Sequence, residues 1–217
     1  NLINEGVSLI GPNATVNTPA GVFWMDKKGF YTYTGSVSPL PCSVHSYVFD
    51  DANEDQAYQF FGFLNKQFNE VGWFYCSAAS TSIDRYVTYN YVEQSWAIGQ
   101  LERTAWLDEG IVAFPRATGK DSSTPYLYQH ETGNNDGSPM DNVFIESADF
   151  DIGDGEQFQF IRRMIPDVKF TGSNSSQQIN VVLKQRNYPG DSLSTDQTTS
   201  FTSSTTKIDM RARARQA

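Results

Sequence analysis

Carboxylates crowd one short stretch of the sequence: Glu146, Asp149, Asp151, Asp154 and Glu156. Two kinds of chemistry use such a cluster. A glycosidase holds one protonated and one ionised carboxyl group several Å apart across the scissile bond. On a strand, Asp149 and Asp151 would share a face about 7 Å apart, which permits that arrangement. The sequence supplies no second acid-rich strand and no neighbouring His, so a solvated strand and turn is the better reading. The run Asp149-x-Asp151-x-Gly153 also begins like a calcium loop. Glycine stands at its third ligand position, however, and Asp154 where the loop needs glycine.

The remaining reactive residues form no recognisable centre. His45 and His130 are isolated, with Ser43 and Ser46 beside His45 but no G-x-S-x-G elbow. Both histidines read as strand residues with a satisfied ring nitrogen. Gly153-x-Gly155 leads into acidic and aromatic residues, not into a helix N-terminus that could cradle phosphate. Cys42 and Cys76 read as reduced, buried, small hydrophobes, and two Cys with two isolated His do not make an ordinary zinc site. The reading is therefore non-enzymatic, with no catalytic residue, no cofactor and no metal.

The basic groupings are Arg162-Arg163 and Arg211-x-Arg213-x-Arg215. On a strand, the alternating arginines place three guanidinium groups on one face, suited to bidentate pairing with carboxylates of a neighbouring subunit. The competing explanation is an edge strand protected by charge. These five arginines, Arg162, Arg163, Arg211, Arg213 and Arg215, are the candidate subunit interface.

The elements that must position these groups follow from composition and pattern. The chain has 217 residues, 39% of them hydrophobic and 14% aromatic, which favours β-structure with broad side chains on pleated surfaces. A net charge of -9 argues against binding nucleic acid by phosphate neutralisation, although an acidic wall would let a duplex slide past. No apolar run approaches the roughly 20 residues needed to span a bilayer, so no membrane insertion is expected of this chain.

Three segments repeat an apolar strand, a polar turn and a Tyr-rich strand at a period of roughly 40 to 50 residues, as propeller blades do. The first covers residues 21–35, turning at Lys27-Lys28-Gly29. In the second, strands are expected over 58–65, 70–78, 84–91 and 95–101. The third is expected as a strand at 111–114, a loop at 116–124 and a strand at 126–133. A short helix is expected over 50–57. Further along, strands are expected over 142–152, 157–168, 178–185 and 207–215, with a turn at 153–155 and an exposed loop over 190–206. The predicted fold is all-β: a partial β-propeller of two to three antiparallel blades over 1–137, followed by a small antiparallel β-sandwich over 138–217.

Ordered blocks carry a resemblance. Phe68-Asn69-Glu70-Val71-x-Trp73-Phe74-Tyr75, then Asp84-Arg85-Tyr86-Val87-x-Tyr89-Asn90-Tyr91, Trp96 and Arg103-Thr104-Ala105-Trp106 form the first series. The second is Ile145-Glu146-Ser147-Ala148-Asp149-Phe150-Asp151-Ile152-Gly153-Asp154-Gly155 with Phe160-Ile161-Arg162-Arg163-x-Ile165-Pro166-Asp167. Arg186-Asn187-Tyr188-Pro189-Gly190 and the ending Arg211-Ala212-Arg213-Ala214-Arg215-Gln216 extend it. From about residue 21 onward the chain resembles the tail nozzle (tail tubular protein B) and packaged-DNA stabilisation proteins of short-tailed bacteriophages. Members of that family tend to be longer, so the chain is expected to be the C-terminal part of a longer protein, or a reduced version of one.

The resemblance implies a virion structural protein, assembled in the host cytoplasm and located in the tail. It would form a homo-oligomeric ring, hexameric in the family, that meets portal or adaptor and tail-fibre proteins. Such a ring surrounds the DNA exit channel without sequence-specific binding and retains the packaged genome until ejection. The alternative is a carbohydrate-binding or host-recognition module of a phage tail, since exposed Tyr and Trp stack on sugar rings.

Overall fold

The computed structural model describes residues 6–110, 112–121, 123–133, 143–171, 177–188 and 190–217. The chain is mostly β, built from several small antiparallel sheets and a few short helices. It divides into two units, Asn1–Met140 and Asp141–Ala217. The boundary expected at 137/138 falls among residues 134–142, outside the described residues.

The first unit begins with a four-stranded meander, β1 (Thr15–Thr18), β2 (Gly21–Asp26), β3 (Gly29–Tyr33) and β4 (Val37–Leu40), paired in sequence order. Alternation along β2 turns Phe23 and Met25 into the core, while Val22 and Trp24 face the other way and stay half-buried. A second meander follows in the same order: β5 (Phe61–Asn65), β6 (Glu70–Tyr75), β7 (Arg85–Asn90) and β8 (Ser95–Gln100). Every residue from Val71 to Tyr75 is buried, so both faces of this sheet are covered. On one face Trp73 and Trp96 meet Phe30 of the first meander, with ring centroids 4.7 and 4.8 Å away. On the other, Phe63 and Phe74 meet Trp106 at 4.8 and 6.4 Å.

Trp106 belongs to a third sheet, β9 (Ala105–Leu107), β10 (Arg116–Asp121) and β11 (Thr124–Gln129), in the order β11-β10-β9. Indole N–H groups tie the sheets to one another: Trp73 donates to Ala14 O (3.0 Å), Trp96 to Pro41 O (2.9 Å) and Trp106 to Leu64 O (2.9 Å). Close backbone approach accompanies them. Gly62 N donates to Asn13 O at 2.8 Å. A Cβ on Gly62 would lie 2.4 Å from Val16 Cγ2 and 3.1 Å from Thr15 O, so only glycine lets β5 run beside the start of β1.

No propeller is detected among the described residues; the first unit is a series of separate antiparallel sheets that share aromatic contacts. Strands β2, β3 and β6 to β8 follow the expected segments with trimmed ends, β5 begins later than expected, at Phe61, and β1 and β4 lie where no strand is expected. Residues 54–59 form a 3₁₀ turn instead (Glu54–Gln59). Of the helix expected at 50–57 only the second half forms, as this 3₁₀ turn, and a separate α-helix, α1, occupies His45–Phe49. Ala52 makes an antiparallel bridge with Ser77, and Asn53 N donates to Cys76 O at 2.9 Å. That pairing takes the backbone groups a continuous helix would need. In the third segment, residues 112–114 bend without pairing and Ile111 lies outside the described residues. The expected loop there is strand β10, which pairs with β11 from Arg116↔Gln129 to Asp121↔Thr124.

The second unit contains two ribbons. β12 (Gln159–Met164) pairs with β15 (Ile208–Ala214), and β13 (Gln178–Gln185) with β14 (Ser194–Thr202). Phe201, Ile208 and Met210 are buried between them, with Ile161, Met164, Ile179, Val181 and Leu183 packed around. Two expectations fail here. The Ser/Thr-rich stretch read as a loop is the nine-residue strand β14, because β-branched Thr195, Thr198, Thr199 and Thr202 favour extended backbone and Phe201 anchors it in the core. Residues 143–150, read as a strand, are not one; Phe150 and Ala217 exchange backbone hydrogen bonds, and Asp151 makes a lone bridge to Gln216. Asn142 lies outside the described residues.

Trp73 is fully buried and hydrogen-bonded, so Trp73→Ala is expected to destabilise the first unit by about 3–5 kcal/mol. Trp73→Phe deletes the indole donor, but Ala14 O keeps its bond from Met25 N, so this variant is expected to cost only about 0.5–1.5 kcal/mol. Urea unfolding followed by circular dichroism measures both.

Candidate functional site

Pairing of β12 with β15 gathers all five arginines onto one face. In β15, Ile208, Met210, Ala212 and Ala214 point inward and are buried, which turns Asp209, Arg211 and Arg213 to solvent. Arg215 follows directly and is half-buried. The register sets Phe160 opposite Arg213 and Arg163 opposite Asp209, with a shift between Ile161 and Arg163. Strict alternation would send one of Arg162 and Arg163 to each face. The register shift sets two residues of β15, Met210 and Arg211, opposite Arg162 alone, and the side chains of Arg162 and Arg163 both stay exposed.

Aromatic rings carry the guanidinium groups. Arg213 lies 4.5 Å and Arg215 4.9 Å from the Phe158 centroid, Arg215 also lies 5.6 Å from Tyr188, and Arg162 lies 5.3 Å from Phe160. Such contacts are worth about 0.5–1 kcal/mol per exposed pair. Phe158 and Phe160 are themselves about half exposed, at 46% and 52%. Phe160, Arg162, Arg163, Asp209, Met210 and Arg211 line an open groove of about 480 Å³.

Asp209 is the carboxylate in that groove. Arg163 Nε donates to its Oδ1 at 3.0 Å, and this hydrogen bond and charge hold its carboxyl below the usual carboxylate range, with Lys207 and Arg211 adding smaller effects. Among the described residues, Arg162, Arg211 and Arg213 have no carboxylate partner.

The acidic cluster behaves in the opposite way. Lys184 Nζ donates to Glu146 Oε1 at 2.8 Å, Arg186 pairs closely with Asp149, and Gln216 Nε2 donates to Asp151 Oδ2 at 2.9 Å. Each carboxylate is held by a separate partner, and the expected shared strand face for Asp149 and Asp151 does not exist because residues 143–150 are not a strand. Asp154 occupies the turn at 153–156 with φ 55°. Among the described residues, no three His, Cys, Asp or Glu side chains converge in a way that could hold a metal ion.

The histidines and cysteines are built into packing. His45 sits on α1, not on a strand, with Nε2 3.0 Å from Lys28 O and its ring against Phe49. His130 Nε2 accepts from Arg103 Nε at 2.9 Å, and its ring lies 4.7 Å from Trp106. Cys42 and Cys76 are free thiols, and burial pushes both up to about 11. Cys76 is fully buried, Cys42 only partly.

Sequence reasoning therefore found the arginines but missed Phe158, Phe160, Tyr188 and Asp209. Alternating aromatic residues at 158 and 160, just ahead of Arg162, were the available signal. The sequence matches no family model, and no curated protein matches it.

Because the depressed Asp209 value depends first on Arg163, Arg163→Ala is expected to raise the Asp209 titration midpoint toward the ordinary carboxylate range, read by side-chain carboxyl NMR. A depressed folded-state value favours folding above the unfolded-state value and is lost as pH falls through the folded one. The pair is exposed, so the variant is expected to change stability little.

Proposed function

We propose that this chain is a structural component of a short-tailed bacteriophage tail, of the nozzle or packaged-DNA stabilisation kind. It would assemble into a homo-oligomeric ring, hexameric by the family resemblance, around the DNA exit channel. The ring would contact portal or adaptor and tail-fibre proteins, and hold the genome until ejection. Its place is the virion tail, after assembly in the host cytoplasm. The role is carried by surfaces, with no catalytic, cofactor or metal residue assigned.

One observation carries the reading. The second unit turns apolar side chains outward along its length: Val143, Phe144, Ile145, Ile165 and Val182 are exposed, Ile145 completely. A small unit with so much apolar surface is what an interface between subunits requires. The first unit contributes a similar feature, since Val22, Trp24, Tyr31 and Tyr33 all lie half-buried on the meander face opposite its core. In this reading the two four-stranded meanders are blades of a partial propeller. The two ribbons of the second unit are its small sandwich, and the chain is the C-terminal part of a longer protein.

A second reading rests on Trp24 and Tyr31, which stack at 5.8 Å with an interplanar angle of 19°. Such a platform fits a sugar ring and favours a carbohydrate-binding or host-recognition module.

The purified chain is expected to sediment as an assembly of several copies, and the chain is expected in the purified particle by mass spectrometry. A protein that stays monomeric at micromolar concentration, or a particle without it, would remove the ring reading. Binding to host polysaccharide on a glycan array that is abolished by Trp24→Ala would favour the second.

A further inference from the structure

We infer that the arginine face of the β12–β15 ribbon docks on the acidic first unit of a second copy of this chain. The inference rests on the ring reading and names the contact that would join its subunits. Charge is divided unevenly between the two units. Residues 1–140 carry 15 acidic and 7 basic side chains, a net charge of -8, whereas residues 141–217 carry 10 acidic and 9 basic, a net charge of -1. Within the second unit the basic excess is gathered: five arginines share one ribbon face, and Asp209 is the carboxylate lining its groove.

The groups on that face are arranged to receive carboxylates. Arg162, Arg213 and Arg215 lie over Phe160, Phe158 and Tyr188, so the entropy of ordering long side chains is already partly met. Their planar forks match carboxylate oxygens in pairs. The exposed rings of Phe158 and Phe160 beside them supply apolar area that desolvates such pairs and strengthens them.

The arginine face cannot meet another arginine face, because like charges directly opposed cost free energy. A phosphate backbone would find the same guanidinium groups, but duplex DNA carries a negative charge about every 1.7 Å, so a chain of net charge -9 repels it more strongly than it repels another copy. The first unit of a second copy has the required sign and is present at the concentration of the protein itself. A contact between unlike patches, repeated from copy to copy, closes into a ring when the rotation between copies divides a full turn.

The test uses the full chain. Sedimentation of the unmodified protein is expected to show an assembly at 50 mM salt that falls apart at 500 mM, and R211E/R213E is expected to lose the assembled species with an unchanged circular dichroism spectrum. As a readout that does not depend on a charge-reversed strand folding, R211K/R213K is treated with carbodiimide in a mixture of unlabelled and ¹⁵N-labelled protein. Peptide mapping is expected to find the substituted positions coupled, across differently labelled copies, to carboxylates of residues 1–140. An assembly that survives R211E/R213E, or couplings confined to residues 141–217, overturns the docking contact while leaving the ring reading in place. Duplex DNA bound by the unmodified protein and released by R211E/R213E, with self-association intact, overturns it in favour of phosphate. A monomeric unmodified protein removes both readings.

Discussion

Three indole N–H groups hold the sheets of the first unit in register. Apolar burial alone is non-directional, and two aromatic sheet faces could slide across one another with little change in buried area. The donors of Trp73, Trp96 and Trp106 each reach one backbone carbonyl in a neighbouring segment, at Ala14, Pro41 and Leu64. Displacement by one residue would leave the buried Trp73 N–H unpaired, which costs about 1–3 kcal/mol, and would break the part-buried Trp106 and exposed Trp96 bonds at smaller cost. The rings supply the stabilisation; the N–H groups select one arrangement. The glycines follow from this constraint, since Gly62 allows β5 to lie against Asn13 and Val16 and a side chain at Gly72 would strike the Phe63 ring at 2.4 Å.

The second unit is organised by a different balance. Its buried cluster centres on Phe201, Ile208 and Met210, and Ala212 and Ala214 fill the inward positions further along β15. Small inward residues contribute little burial, about 25 cal/mol per Å² of a small area. What they permit is a thin ribbon whose outer face is wide enough for long side chains. The alternation of Ala and Arg is thus one device with two sides: a close-packed inner row, and an outer row of cations resting on Phe158 and Tyr188.

Legibility followed periodicity. Strands β2, β3 and β6 to β8 could be read because alternating aromatic residues and short polar turns are local signals, and β13 and β15 because apolar positions recur at every second residue. Partners outside the local window overrode the rest. Residues 50–53 lost their helix to a bridge with Ser77, a segment some 25 positions away. The Thr-rich stretch became β14 because β13 was available to pair with it, whereas residues 143–150 had the alternation of a strand and found only isolated backbone contacts near the chain end. At the candidate site, the alternating arginines of β15 were legible from spacing. Their convergence with Arg162 and Arg163 was not, because it depends on a bulge and on a long-range register.

Acidic and basic clusters in the second unit look equally reactive as strings of letters, and the fold separates them. Glu146, Asp149 and Asp151 lie near Lys184, Arg186 and Gln216, so the charge or hydrogen-bonding capacity of each is met within its own unit. The three carboxylates are held by three different partners and do not converge on one point. On the β12–β15 face, Asp209 is engaged by Arg163, Arg162 and Arg213 lie over aromatic rings, and among the described residues Arg162, Arg211 and Arg213 have no carboxylate partner. Free binding capacity on this unit therefore resides with its cations and the apolar rings beneath them. That combination is suited to pairing with an anionic surface.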